Sequence, residues 1–223
     1  MNKHDIARKI QHTLLKITAT SNDIKKLCDE AVKYDFQAVC VQPMWAELAV
    51  SQLENTNSVV CAVADFPHGA GGLKAKSAEV ADLVAKGVEE IDVVCKIGYL
   101  RSGMFDEFRD DLAAVVNAAN GKITKVILET SILNDEELRR AIELAIEAKM
   151  DYIKTASGFN GPGATVEIIK KMSEIAAGRI KVKAAGGIRS WDDAVAMVEA
   201  GADVLGASSG VAIITGGQSE GAY

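Results

Sequence analysis

The chain has 223 residues, a formal net charge of −6, 48% hydrophobic residues and only 5% aromatics. No Lys/Arg block of five or more is present, which rules against the dense basic face that nucleic-acid binding requires, and no apolar run approaches the roughly 18 residues of a membrane span. A core drawn from Ala, Val, Ile and Leu suits a parallel sheet covered by helices on both faces, and the length fits one such domain over residues 1–223.

In chain order, short apolar runs alternate eight times with longer amphipathic stretches. Strands are expected at 12–15 (HTLL), 36–41 (FQAVCV), 58–66 (SVVCAVADF), 89–95 (EEIDVVC), 123–129 (ITKVILE), 151–155 (DYIKT), 180–184 (IKVKA) and 203–207 (DVLGA). Between the first two, Ile24, Leu27, Cys28, Ala31 and Val32 recur at helical spacing, as do Leu138, Ala141, Ile142, Ala145 and Ile146 after the fifth. Asn134 with Glu137, and Ser190 with Asp193, read as capping boxes. A helix exit, a turn and a strand recur at 86–92, 148–154 and 200–206, and successive strand ends lie about 28 residues apart, enough for one βα unit each. Eight units predict an α/β fold closed as a (β/α)8 TIM barrel. An open doubly wound sheet is the alternative, and the lack of G-x-G-x-x-G after the first strand weighs against it. The tail 216–223 is small and polar and is expected to be mobile. The N-terminus lacks the apolar core of a signal peptide. The four cysteines form no C-x-x-C pair, which fits reduced, buried thiols in a cytoplasmic protein.

In such barrels chemistry sits at the C-terminal ends of the strands. Lys154 ends the sixth strand pattern, Lys183 the seventh, and Asp92 interrupts the apolar fourth. An unpaired charge in such a place costs several kcal/mol, so these groups must interact. One reading is a structural ion pair with the second lysine reaching solvent. The other starts from the surplus lysine: an amine beside a like charge has its pKa lowered, and a neutral amine can attack a carbonyl. Glu129 could orient a lysine or pair structurally.

Glycine-rich loops follow the seventh strand (AAGGIRS, 184–190) and the eighth (LGASSG, 205–210). In barrels these two loops and a short helix N-terminus commonly hold a phosphate. Gly186, Gly187 and Gly206 would admit an anion to backbone amides, Ser208 and Ser209 would add hydroxyls, and Arg189 charge; ordinary tight turns are the alternative. The loop 157–165, SGFNGPGAT, could wrap a ligand or simply be flexible. His12 and His68 read as structural, Cys40 as a small buried hydrophobe, and Trp45 and Trp191 as packing residues at helix starts. Three histidines without H-x-H or H-E-x-x-H predict no metal site.

The segments HTLLK, AVCVQP, DFPHGA, EEIDVV, KVILETSILNDEEL, DYIKTASGFNGPGAT, VKAAGGIRSWDDAVAMVEAGA and LGASSGVAII occur in one order over nearly the whole chain. In this the chain resembles the deoxyribose-phosphate aldolase family. The resemblance implies reversible cleavage of 2-deoxyribose 5-phosphate to glyceraldehyde 3-phosphate and acetaldehyde, with small-molecule substrates and no metal or organic cofactor. It implies Lys154 as the Schiff-base lysine, Lys183 as the group that perturbs its pKa, and Asp92 as a proton relay. It places Gly158, Gly186, Gly187, Arg189, Gly206, Ser208 and Ser209 at the phosphate, Thr13, Cys40 and Ser157 in the pocket, and Tyr223 as a tail residue that can assist proton transfer. Family members are often homodimers. Three positions depart from the family pattern: Gln11 where many members have Asp, Lys96 where Asn is common, and Asp65 where many have Gly. The first two are expected to change the electrostatics near the fourth strand.

Overall fold

A computed structural model describes residues 1–217. Tyr223, with most of the expected mobile tail, lies outside the described residues. Eight strands are present: β1 (Ile10–Leu14), β2 (Ala38–Val41), β3 (Val59–Ala64), β4 (Glu90–Val94), β5 (Ile123–Ile127), β6 (Tyr152–Lys154), β7 (Lys181–Ala185) and β8 (Val204–Ala207). Each pairs in parallel with the next, and β8 pairs with β1, so the sheet closes into a (β/α)8 barrel. Helices connect the strands and cover the outside. Among the described residues no helix is long and apolar enough to cross a membrane.

The third and fifth strands stop short of their apolar runs for a backbone reason. Asp65 (φ 49) and Glu129 (φ 56) adopt left-handed conformations, which end the pleat at Ala64 and shortly after Ile127. The first strand begins at Ile10, two residues before the HTLL pattern. In the helix Ser21–Lys33, Ile24, Leu27, Cys28 and Ala31 are buried, whereas Val32 is 48% exposed. At about 100° per residue Val32 falls on the edge of the stripe formed by the other four. The Asn134–Glu137 and Ser190–Asp193 capping boxes both close.

Strand alternation sorts side chains into two layers. Ile91, Val93, Val126, Ile153, Val182 and Ala184 face outward into a continuous core beneath the helices. Leu15, Cys40, Cys61 and Val63 form a second, small apolar cluster, with Phe66 packed on it. Buried in the β4–β7 wall stands a group of charges.

Candidate active site

On β4 the residues alternating with Ile91 and Val93 are Glu90 and Asp92, both buried. Asp92 Oδ2 accepts from Lys154 Nζ and from Lys183 Nζ, each at 2.7 Å. Its Oδ1 accepts from Lys125 Nζ at 3.0 Å and from the Cys61 thiol at 3.1 Å. Lys125 Nζ also lies 2.5 Å from Glu90 Oε2. The Gln11 amide donates to that same Glu90 oxygen at 2.6 Å and to Gln37 Oε1 at 2.8 Å, while its carbonyl accepts from Lys183. Gln37 in turn donates to Glu90 Oε1 at 2.5 Å. The contacts close into a ring running Asp92, Lys183, Gln11, Glu90, Lys125 and back to Asp92, with Lys154 attached at Asp92.

The structural ion-pair reading is thus half right: Asp92 is paired, but with three lysines at once. Lys154 is the last residue of β6, whereas Lys183 sits in the middle of β7, two residues before its end. They are at equal depth because they are register partners.

Burial pushes the Asp92 carboxyl up, but the charges of Lys125, Lys154 and Lys183 outweigh it and hold the group well below the usual carboxylate range. The expectation of a lowered Lys154 amine is not met in the resting site. Burial does favour the neutral form, yet the Asp92 charge and hydrogen bond overcome it, and the amine is raised. The reason is geometric: Lys154 touches the carboxylate directly. Lys125 is raised well above its ordinary value by the same contest, burial against Asp92 and Glu90. By formal charge, three lysines against two carboxylates leave one positive charge in excess. The Cys40 thiol is brought down to about 7, first by its hydrogen-bonding interaction with Cys61 and, against burial, by the Lys183 and Lys154 charges.

Beyond the strand ends lies a cavity of about 280 Å³. Of the expected phosphate residues, Gly158, Gly186, Gly187, Arg189, Ser208 and Ser209 line it. Gly206 does not: it sits within β8, and a Cβ there would lie 3.1 Å from Lys183 Cε and 3.2 Å from Ala185 Cβ. The absent side chain at this position leaves room for the lysine. The loop 157–165 is anchored rather than free. A Cβ on Gly163 would lie 2.2 Å from the Gly186 carbonyl carbon, and Ala164 N–H donates to Ala185 and Gly186 carbonyls. Thr13 is buried, its hydroxyl donating to the Gln11 backbone carbonyl at 2.9 Å. Ser157 is buried against Glu129. Glu129 is engaged by Ser157 and Asn160 rather than by the lysine group.

His12 is buried and pairs with Glu30 at 2.8 Å, and His68 is exposed. Among the described residues, Cys40, Cys61 and Asp92 offer ligand atoms within 4.8 Å of one another. The three ammonium groups held on Asp92 oppose a divalent cation there. The departures at Lys96 and Asp65 answer each other. Lys96 Nζ lies 3.8 Å from Asp65 and 3.5 Å from Asp111, and Lys76 lies 3.1 Å and 2.7 Å from the same carboxylates. This balanced cluster bears on the β3–helix loop through Lys96, which donates to the Gly69 and Gly71 carbonyls. Among the described residues the hydrogen bonds and ion pairs of its two lysines run to Asp65, Asp111, Val94 and this loop rather than to Asp92. Lys125, Glu90 and Gln37 were missing from the sequence-based site. The readable signal was the period of two: Glu90 shares a strand face with Asp92, and Lys125 interrupts an apolar strand as Asp92 does.

The chain is 46% identical to the deoxyribose-phosphate aldolase of Finegoldia magna, over 95% of this chain and 100% of that one. It is 46% identical to that of Staphylococcus carnosus, over 98% and 100%. The structure superposes on the tetrameric deoxyribose phosphate aldolase of Aeropyrum pernix with a TM-score of 0.91 at 30% identity, over 96% of this chain and 91% of that one. Residues 8–216 match the description DeoC/LacD family aldolase, and with the barrel, its buried lysines and the relatives at this identity, the chain belongs to that family.

Proposed function

We propose that the chain is a class I aldolase that reversibly cleaves 2-deoxy-D-ribose 5-phosphate to D-glyceraldehyde 3-phosphate and acetaldehyde. Lys154 forms the Schiff base, Lys183 and Asp92 move protons, and the glycine-rich cavity holds the phosphate. The observation that carries this reading is the shared oxygen: two lysines on one buried carboxylate, one of them at the end of its strand.

The resting Lys154 is an ammonium, so one proton must leave the Lys154–Asp92–Lys183 group before attack. The neutral amine then adds to C1 of the open-chain sugar. The carbinolamine oxygen takes a proton and departs as water, leaving an iminium. A base removes the C3 hydroxyl proton, the C2–C3 bond breaks, and its electron pair enters the iminium to give an enamine. Glyceraldehyde 3-phosphate leaves. Protonation of the enamine at C2 and addition of water release acetaldehyde and restore the amine. The iminium is itself the electron sink, so the scheme calls for no metal or organic cofactor. Asp92, kept ionised by its three lysines, suits the relay because it accepts from both amines at once. The apolar surface of Leu15, Cys40 and Phe66 beside the lysine group suits a small donor aldehyde. The small phosphosugar substrates and four free thiols fit action in the cytoplasm.

The direct test is reductive trapping: incubation with acetaldehyde and cyanoborohydride, followed by peptide mass spectrometry. A single adduct on Lys154 is expected. An adduct on Lys183 would exchange the two roles, and no adduct would overturn the Schiff-base reading.

A further inference from the structure

Glu129 is a buried carboxylate that the lysine ring does not use. It follows β5 with a left-handed backbone, φ 56 and ψ 55, and is 1% exposed. Such a conformation costs a non-glycine residue about 1 kcal/mol or more, so neighbouring contacts must hold it. Those contacts all come from the segment just after Lys154. Glu129 Oε1 accepts from the Ser157 backbone N–H at 3.0 Å. Oε2 accepts from the Ser157 hydroxyl at 2.5 Å and from Asn160 Nδ2 at 3.0 Å. Thr130 N–H donates to the Thr155 carbonyl at 2.9 Å and fixes the same juxtaposition from the backbone.

Asn160 Nδ2 also reaches the Pro67 carbonyl at 3.1 Å, and the Phe159 ring meets Phe66 edge-on at 5.3 Å. The far end of the loop is fixed by Gly163 and Ala164 against Gly186. Between these anchors lie Gly158 and Gly161, which line the 280 Å³ cavity opposite Arg189 and Ser208. A bare carboxylate beside an anion site would repel the anion. Here both oxygens are engaged by three neutral donors of the loop.

We propose that Glu129 is a positioning residue for phosphate recognition. It pins the first turn of the 157–163 loop, so that the Gly158 wall of the cavity is formed before substrate arrives, and it thereby sets the preference for phosphorylated over unphosphorylated sugars. This rests on the phosphate reading of the cavity given above.

Steady-state kinetics on 2-deoxyribose 5-phosphate and on 2-deoxyribose test it, with the unsubstituted enzyme measured first. Absence of a preference there would overturn the phosphate reading itself. Given a preference, Glu129→Gln keeps the shape but sets an NH2 group against Ser157 N–H or Asn160 Nδ2. KM for the phosphorylated sugar is expected to rise about tenfold or more, while kcat/KM for 2-deoxyribose changes less than about twofold. Asn160→Ala, at an exposed position, removes one of the three bonds; a rise of about two- to threefold in the same KM with an unchanged melting temperature is expected. Equal losses on both sugars would make Glu129 a support of the lysine site or of the fold and overturn the proposal. An unchanged preference in both variants would overturn it too. Should Glu129→Gln fail to fold, an unchanged preference in Asn160→Ala overturns it alone.

Discussion

Lys154 and Lys183 donate to one and the same atom, Asp92 Oδ2, each at 2.7 Å. They can do so because they are register partners on adjacent parallel strands. With Lys125 on the other oxygen, three ammonium groups share two carboxylates, Asp92 and Glu90. Burying an unmatched charge is unfavourable, and Lys154 pairs with Asp92 whereas Lys125 bridges both carboxylates.

Lys154→Met should therefore abolish trapping by acetaldehyde and all turnover without lowering stability. The substitution keeps the volume and leaves two amines for two carboxylates. Denaturant unfolding is expected to give a stability equal to the unsubstituted protein or about 1 kcal/mol higher. A loss of several kcal/mol would show that Lys154 is needed to balance Asp92.

The same change at Lys125 should act in the opposite sense. Lys125 bridges Glu90 at 2.5 Å and Asp92 at 3.0 Å. Lys125→Met leaves Glu90 buried with only the Gln11 and Gln37 amides. A loss of about 3–5 kcal/mol is expected, in the range for breaking one side of a buried pair. Thermal unfolding beside Lys154→Met separates the two lysines directly.

The pH dependence follows from the signs. Asp92 is depressed well below its ordinary value, so its contribution to stability is present above the unfolded carboxyl pKa and lost only as pH falls through its lower folded pKa. Lys154 and Lys125 are raised, so their contributions are present below the unfolded lysine pKa of 10.5 and lost as pH rises through the higher folded values. The network should hold throughout the neutral range. The rate of Schiff-base formation, by contrast, should climb with pH as the free amine becomes less scarce. Asp92→Asn removes the charge that opposes burial at Lys154, so trapping measured across roughly pH 6–9 should begin its climb at lower pH. A climb at unchanged pH would mean that Asp92 does not govern the amine.

Gly206 supplies a test of which group its glycine serves. A Cβ there meets Lys183 Cε at 3.1 Å rather than the anion cavity. Gly206→Ala is expected to lower kcat about tenfold through a displaced Lys183, with competitive inhibition by inorganic phosphate unchanged. Weakened phosphate inhibition at an unchanged kcat would return Gly206 to the anion site.

The eight strands were legible because each is a short run of Val, Ile, Ala or Leu between helical patterns, and closure followed from their number and spacing. Asp92, Lys154 and Lys183 were legible because charge inside an apolar strand is expensive. Lys125 carries the same signal in ITKVILE, but its depth depends on the Asp92–Lys125 register, which pairwise strand alignment alone creates. Gln37 precedes β2 and joins Glu90 only across the barrel. The left-handed backbone at Glu129 and Asp65 left no mark in composition, since both residues read as ordinary polar strand ends. At Gly206, proximity to Ser208 in the chain does not reveal that a Cβ there would meet Lys183.

The charges also fall unevenly along the chain. Gln11, Gln37, Glu90 and Asp92 all belong to the first four strand units, and Lys125, Lys154 and Lys183 all to the last four. A cut between β4 and β5 would part the buried carboxylates of this ring from its buried amines, leaving each half with groups that only the other can neutralise. Neither half-barrel has reason to persist alone, because the buried charges of each are paired by those of the other. The arrangement that poises a lysine for catalysis thus also couples the two halves of the barrel during folding, and makes that junction the natural place to split the protein into reassociating fragments.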